Sequence, residues 1–182
     1  MARVPELEPA QMTAEQRRVH DAIAAGPRGR VEGPLRVWLQ SPGFADRAQA
    51  LGAFCRFGGT LPPQVSELAI LVTAAFWRAA YEWYAHAPLA LRAGIDPQVV
   101  EAIRTGRPPQ LSREDQAATH RLARELTETH RVSDDTYRRA VAALGVPAVV
   151  ELVGLIGYYS LVAMTINAFE VPLSPGASDP FA

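Results

Sequence analysis

Apolar residues recur along the chain at helical spacing, and almost nowhere at the period of two that marks a half-buried strand. Thr13-Ala-Glu-Gln16 reads as a capping box, and the helix it opens ends at Gly26-Pro27. The loop PRGRVEGP follows, then a short helix over Leu35–Gln40. Ser41-Pro42 places a capping serine before a proline in the first helical turn, and this helix ends near Gly58-Gly59. Pro62-Pro63 opens the next, with Leu68, Ile70, Leu71 and Val72 as its core, and a break is expected near Phe76–Arg78. A helix closed by Gly94 follows, then one capped by Asp96-Pro97 and ended by Thr105-Gly106. Ser112 is expected to cap a helix to about His130, Asp134 to start one ending at Gly145, and Pro147 to start a long apolar one. The tail, VPLSPGASDPFA, is rich in Pro, Ser and Gly and is expected either to be disordered or to wrap a neighbouring subunit. The pattern predicts an all-α fold of about eight helices with short connections and no repeat of fixed period.

Composition narrows the picture. The 182 residues are 48% hydrophobic and 20% charged, enough for one globular domain with a sizeable core. A net charge of −1 leaves no basic footprint, so no nucleic-acid partner is expected. The stretch Val146–Ala168 is long enough to cross a bilayer, but it carries Glu151 and lacks charged flanks; a buried core helix is expected, with no membrane contact. A single cysteine, Cys55, permits no intrachain disulfide, and the N-terminal MARVPELEPAQ has no signal-peptide core; both suit a cytoplasmic protein. All 18 basic residues are arginine. Lysine-based chemistry (Schiff bases, pyridoxal phosphate attachment, a P-loop) is therefore excluded.

The candidate chemistry lies in Phe76–Asp96, FWRAAYEWYAHAPLALRAGID. Glu82 and His86 stand one helical turn apart, on one face, near enough to share a hydrogen bond. The bulky Tyr81, Trp83 and Tyr84 around them would lower the local dielectric. Desolvation raises a carboxyl pKa and lowers an imidazole pKa, bringing the pair toward neutrality as general acid–base work requires. Pro88 removes the helical partner of the Tyr84 carbonyl and should kink the helix. The same residues also read as an ordinary surface pair of the kind helices carry at this spacing.

The wider stretch from Gly58 to Ile103 resembles the carboxymuconolactone decarboxylase family, whose all-helical fold is that of alkylhydroperoxidase D. Three motifs carry the resemblance: Leu61-Pro62 before S-E-L-A-I-L with Glu67, then Y-E-W-Y-A-H with Glu82 and His86, then L-A-L-R-A-G-I-D-P. The final YYSLVAMTINAFEVP is similar to the family's C-terminal segment. The resemblance implies one domain over 1–182, with a helical extension over about 1–58, a family core over about 59–170 and a tail over 171–182. In the peroxidase branch the corresponding helix carries Cys-x-x-Cys and, after three further residues, His. Aligned on His86, those cysteines fall on Ala79 and Glu82, so this chain keeps the glutamate of the preceding helix, Glu67, and the histidine but neither thiol. The disulfide peroxidase mechanism cannot operate at those positions. The decarboxylase branch, with a carboxylate at the second cysteine position, is the better match. It implies cofactor-free chemistry on a small carboxylated lactone or a related enolisable substrate, with His86 as proton donor or shuttle, Glu82 tuning it and Glu67 completing the cluster. Arg56 or Arg78 would hold a substrate carboxylate, and Tyr81, Trp77 and Trp83 would line the pocket. The alternatives are a redox enzyme using Cys55, a member that binds without turnover, and a metal held by Glu67, Glu82 and His86, which the resemblance does not imply. His20, His120 and His130 read as solvated. The resemblance implies the assembly usual for this fold, a dimer, trimer or hexamer, and the apolar last helix and Pro-rich tail suit a homo-oligomer.

Overall fold

The computed structural model describes residues 3–182. Among them there are nine α-helices and no strand. These are α1 Ala14–Ala25, α2 Pro34–Trp38, α3 Pro42–Ala53, α4 Pro63–Trp77, α5 Ala80–Arg92, α6 Pro97–Arg104, α7 Glu114–Thr129, α8 Asp134–Leu144 and α9 Val146–Phe169. A 3₁₀ turn at Pro9–Gln11 precedes α1, and α3 runs on into a π-helical turn, Phe54–Gly58.

The start signals act mostly as expected, with two shifts. In α1 the Gln16 amide donates to the Thr13 hydroxyl and the Thr13 amide to Gln16 Oε1, a closed capping box. Asp96 accepts from the Gln98 amide at 2.7 Å and starts α6. Ser112 does not cap α7: the boundary residue is Arg113. Helix α8 begins at Asp134 as expected, capped by Ser133, whose hydroxyl accepts from the Thr136 amide. Ser41 stands at the start of α3 without a side-chain hydrogen bond to it, leaving Pro42 as the start signal there.

Helix α4 is the axis of the fold. Beyond its first turn and Glu67 it is almost wholly apolar, and Val65, Leu68, Ala69, Ile70, Leu71 and Ala74 are fully or almost fully buried where α5, α7 and α9 pack around it. Each large aliphatic side chain so buried contributes roughly 1.5–3 kcal/mol. The break expected after it is an αL residue. Arg78 (φ 49°) turns the chain, its amide and that of Ala79 capping the carbonyls of Ala75 and Ala74. Helix α5 then folds back against α4. It runs unbroken to Arg92 with Pro88 inside it, so the proline does not end it.

Helix α9 is long and apolar enough to cross a membrane, and 56% of its most apolar window is buried in the fold. Its inner face (Leu152, Leu155, Ile156, Tyr159, Ala163, Ile166) joins the core. Its outer face, with Val146, Val150, Val153 and Met164, is exposed on the single chain. The tail corrects the expectation that it is disordered or wraps a neighbour. It returns to its own chain, burying Phe181 edge-on against Trp83, while the Pro180 and Phe181 carbonyls accept from Arg104 and Arg78.

Candidate active site

The α4–α5 hairpin brings Glu67 and His86 together. Glu67 Oε2 lies 2.8 Å from His86 Nδ1, with both side chains largely shielded from solvent. This corrects the sequence expectation, which paired His86 with Glu82. The partner of the imidazole is the carboxylate across the hairpin, and neither oxygen of Glu82 has a hydrogen-bond partner among the described residues. Spacing along one helix made the Glu82–His86 pair possible; packing against α4 decided otherwise.

Glu82 is 2% exposed. With nothing to stabilise its charge, burial pushes its carboxyl pKa well above the usual range, which favours the protonated, neutral form. Burial also lowers the His86 pKa. The hydrogen bond and charge of Glu67 oppose that shift, while the positive charges of Arg56 and Arg28 reinforce it. A neutral imidazole donating from Nδ1 to Glu67 leaves Nε2 as the free basic nitrogen. The His86 ring meets Tyr159 edge to face at 5.0 Å, and burial holds the Tyr159 hydroxyl far from ionisation.

Glu82 and His86 form part of the wall of a cavity of about 880 Å³. Three other regions supply most of its remaining polar and aromatic lining, with α2 adding Pro34, Leu35 and Trp38. The π-helical turn delivers Arg56 and Phe57, with the Arg56 guanidinium 5.0 Å from the Phe57 ring. Helix α9 delivers Tyr158 and Tyr159, and the loop between α1 and α2 delivers Arg28 and Arg30. Gly33 sits at φ 55°, and a Cβ there would collide with the Tyr81 ring, so a glycine lets that loop close over α5.

Of the expected pocket residues, Tyr81 and Arg56 line this cavity. Arg78, Trp77 and Trp83 do not. Arg78 caps α4 and lies against Phe181 in a second cavity. Trp77 packs edge-on to Phe76, and its carbonyl accepts from Asn167. Trp83, one residue from Glu82, points 100° away around the helix into the contact with Phe181. Cys55 is half-buried in the π-helical turn and is not part of the cavity wall; burial, aided by the charge of Glu151, raises its thiol pKa. Among the described residues no cluster of three His, Cys, Asp or Glu is arranged to hold a metal. His120, read from the sequence as solvated, is half-buried and its pKa is lowered by burial, whereas His130 is exposed. The sequence reading missed Arg28, Tyr158 and Tyr159. The tyrosines had a signal in the YY of the final helix; Arg28, in a polar loop, had none.

Residues 42–118 match the model of the carboxymuconolactone decarboxylase family. No curated protein matches the sequence. Solved structures do. An uncharacterized peroxidase-related protein from Ralstonia eutropha JMP134, with an alkylhydroperoxidase AhpD core, superposes with a TM-score of 0.78 at 15% identity, over 99% of this chain and 94% of that one. An uncharacterized peroxidase-related protein from Silicibacter sp. TM1040 gives 0.75 at 13% identity, over 96% and 92%. The debrominase Bmp8 gives 0.73 at 11% identity, over 93% and 91%. These likenesses establish the AhpD-like helical fold, while the chemistry named in them belongs to those proteins.

Proposed function

For a chain whose segment 42–118 matches the model of the carboxymuconolactone decarboxylase family and whose length takes the AhpD-like fold, we propose an acid–base carbon–carbon lyase. Its substrate is a small carboxylated lactone or a related enolisable acid. The observation that carries this reading is Glu82: a buried, unpartnered, neutral carboxyl in the cavity wall, one turn from a neutral imidazole held by Glu67.

The chemistry follows from those protonation states. When a substrate carboxylate leaves as carbon dioxide, its bonding pair passes into the conjugated lactone and forms a dienolate. That charge needs a hydrogen-bond donor near the oxygen and a proton for carbon. Neutral Glu82 is the donor. Its carboxylate, formed as the proton reaches carbon, is strongly disfavoured at a site this dry and takes a proton back from water through His86. Glu67 fixes the tautomer and orientation of the imidazole throughout.

The peroxidase-related names of the structural neighbours suggest a second reading, a redox enzyme using Cys55. It has less support here. A raised thiol pKa leaves little thiolate to attack a peroxide, the thiol stands outside the cavity wall, and there is no second cysteine to resolve a sulfenate.

The test follows the ultraviolet absorbance of γ-carboxymuconolactone with purified protein. Wild type should consume it, Cys55→Ser should match wild type, and Glu82→Gln and His86→Ala should each lose about 10²–10⁴-fold in kcat. No turnover by wild type, or loss of turnover in Cys55→Ser, would overturn the reading. We also propose that the exposed outer face of α9 is covered by a second copy of the chain, since a helix apolar all round needs cover on both sides. Light scattering should then report a particle heavier than the 19.7 kDa chain; a monomer at all concentrations would remove this element.

A further inference from the structure

Arg28 is the outstanding anomaly of the cavity. Its Nε and Nη2 are buried; the guanidinium lies beside the Tyr158 hydroxyl and lowers that group's pKa, but neither nitrogen makes a hydrogen bond of normal geometry among the described residues. Guanidinium N–H groups removed from water without an acceptor are costly, and native structures keep few of them. The surroundings hold the side chain in this position. Gly52, on α3, is buried, and a Cβ there would collide with both Arg28 Nη2 and the Tyr158 hydroxyl. Glycine at position 52 therefore makes the space in which the guanidinium and the phenol sit side by side.

The charge around it is one-sided. With Glu82 neutral, the charged side chains of the cavity wall are Arg28, Arg30, Arg56, Arg92 and Glu32. Arg30 and Glu32 pair with each other at 3.0 Å. Arg28, Arg56 and Arg92 form no ion pair among the described residues. Arg28 and Arg56 both depress the pKa of His86, so their field reaches the imidazole. A cavity with surplus positive charge, an orphaned planar donor fork and a hydroxyl beside it fits one class of ligand group: a carboxylate, accepted bidentately by the guanidinium.

We propose that Arg28, supported by Arg56 and the Tyr158 hydroxyl, is the carboxylate-binding subsite of this cavity, so that its ligand is an organic acid. This rests on the cavity being the reaction site proposed above. Anchored there, the ligand directs its other end toward Glu82 and His86. Arg28 lies outside the segment that matches the family, in the loop between α1 and α2, so selection of the substrate is assigned to the N-terminal extension. The sequence reading gave this role to Arg56 or Arg78. Arg56 keeps a supporting part, and Arg78 is turned to the opposite cavity.

The experiment is calorimetric titration with 2-furoate, a small planar carboxylate, and with its neutral isostere 2-furamide. Wild type should bind furoate and bind furamide at least about tenfold more weakly. Arg28→Gln should weaken furoate binding by about tenfold or more and leave furamide unchanged. Arg28→Lys, which keeps the charge but not the fork, should fall between. Arg124→Gln, in the opposite cavity, should bind as wild type does, and circular dichroism of each variant checks that it is folded. Equal binding of furoate and furamide, undiminished furoate binding by folded Arg28→Gln, or no furoate binding by wild type would each overturn the proposal. Furoate binding through Arg28 without turnover of γ-carboxymuconolactone would retire the decarboxylase reading and leave the acid subsite standing.

Discussion

Two cavities among the described residues are rich in arginine, yet their arginines are in opposite conditions. The smaller one, about 360 Å³, lies between α4, α6, α7 and the tail, and Arg78, Arg104, Arg107 and Arg124 surround it. Each has found a protein partner. Arg104 is bound to Glu101 and the Pro180 carbonyl, Arg124 to Glu128, Arg107 to the Thr105 hydroxyl, and Arg78 to the Phe181 carbonyl. In the larger one, Arg28 has buried donors with no acceptor, and Glu82 has buried acceptors with no donor. Charge count alone would not separate the two sites. Satisfaction does: the first set is engaged by the protein's own groups, with Arg78 and Arg104 fastening the tail, whereas the guanidinium of Arg28 and the carboxyl of Glu82 are left to the ligand of the proposed site.

Glu82→Gln should sharpen this contrast most. Beyond the loss of turnover, it should change the pH dependence of stability. A carboxyl whose folded pKa is raised favours the native state fully only below the ordinary glutamate value. Above it, the unfolded chain ionises while the folded one stays protonated, so stability falls as pH rises toward the raised folded value. Glutamine removes this slope. The variant should therefore unfold at a higher denaturant concentration than wild type at neutral pH, with the two curves converging near pH 4 to 5. Identical wild-type and variant profiles from denaturant titrations would mean that Glu82 is not held neutral. His86 acts in the opposite sense. Its lowered pKa gives stability that is present above the ordinary histidine value and lost as pH falls through the folded one.

A smaller effect tests the other cavity. Phe181→Ala removes the ring that covers Trp83 and leaves the tail held by its carbonyls alone. It should cost about 3–5 kcal/mol in denaturant unfolding and leave turnover and furoate binding as in wild type. A substantial loss of turnover would show that the two cavities are coupled through Trp83 and would break the distinction between them.

Much of the frame was legible in the sequence because it is written locally. The Thr13–Gln16 box, the prolines at 42, 63, 97 and 147, and the all-round apolar run of α4 each act within a few residues, and the helices began close to where these signals stood. The break between α4 and α5 was visible, although an arginine rather than a glycine makes the left-handed turn. Glu67, Glu82 and His86 were named as candidates from the sequence, and the absence of Cys-x-x-Cys followed from reading the residues. Their internal arrangement was not found. The sequence placed Glu82 and His86 one turn apart, but their roles depend on what α5 packs against, and α4 offers Glu67 to the imidazole while leaving Glu82 dry. Trp83 and Arg78 were expected in the pocket because they neighbour its residues in sequence, and 100° of helix rotation and an αL turn send them elsewhere. Arg28 lies 54 positions before Glu82, and only the close packing of the α1–α2 loop on Gly52 and Tyr158 brings it to the cavity. The sequence by itself determined the helices, the all-α class and the residues able to move a proton. Tertiary structure decided which carboxylate is paired and which is neutral, and which arginine is left for a ligand, because pairing and desolvation depend on neighbours that the chain supplies from a distance.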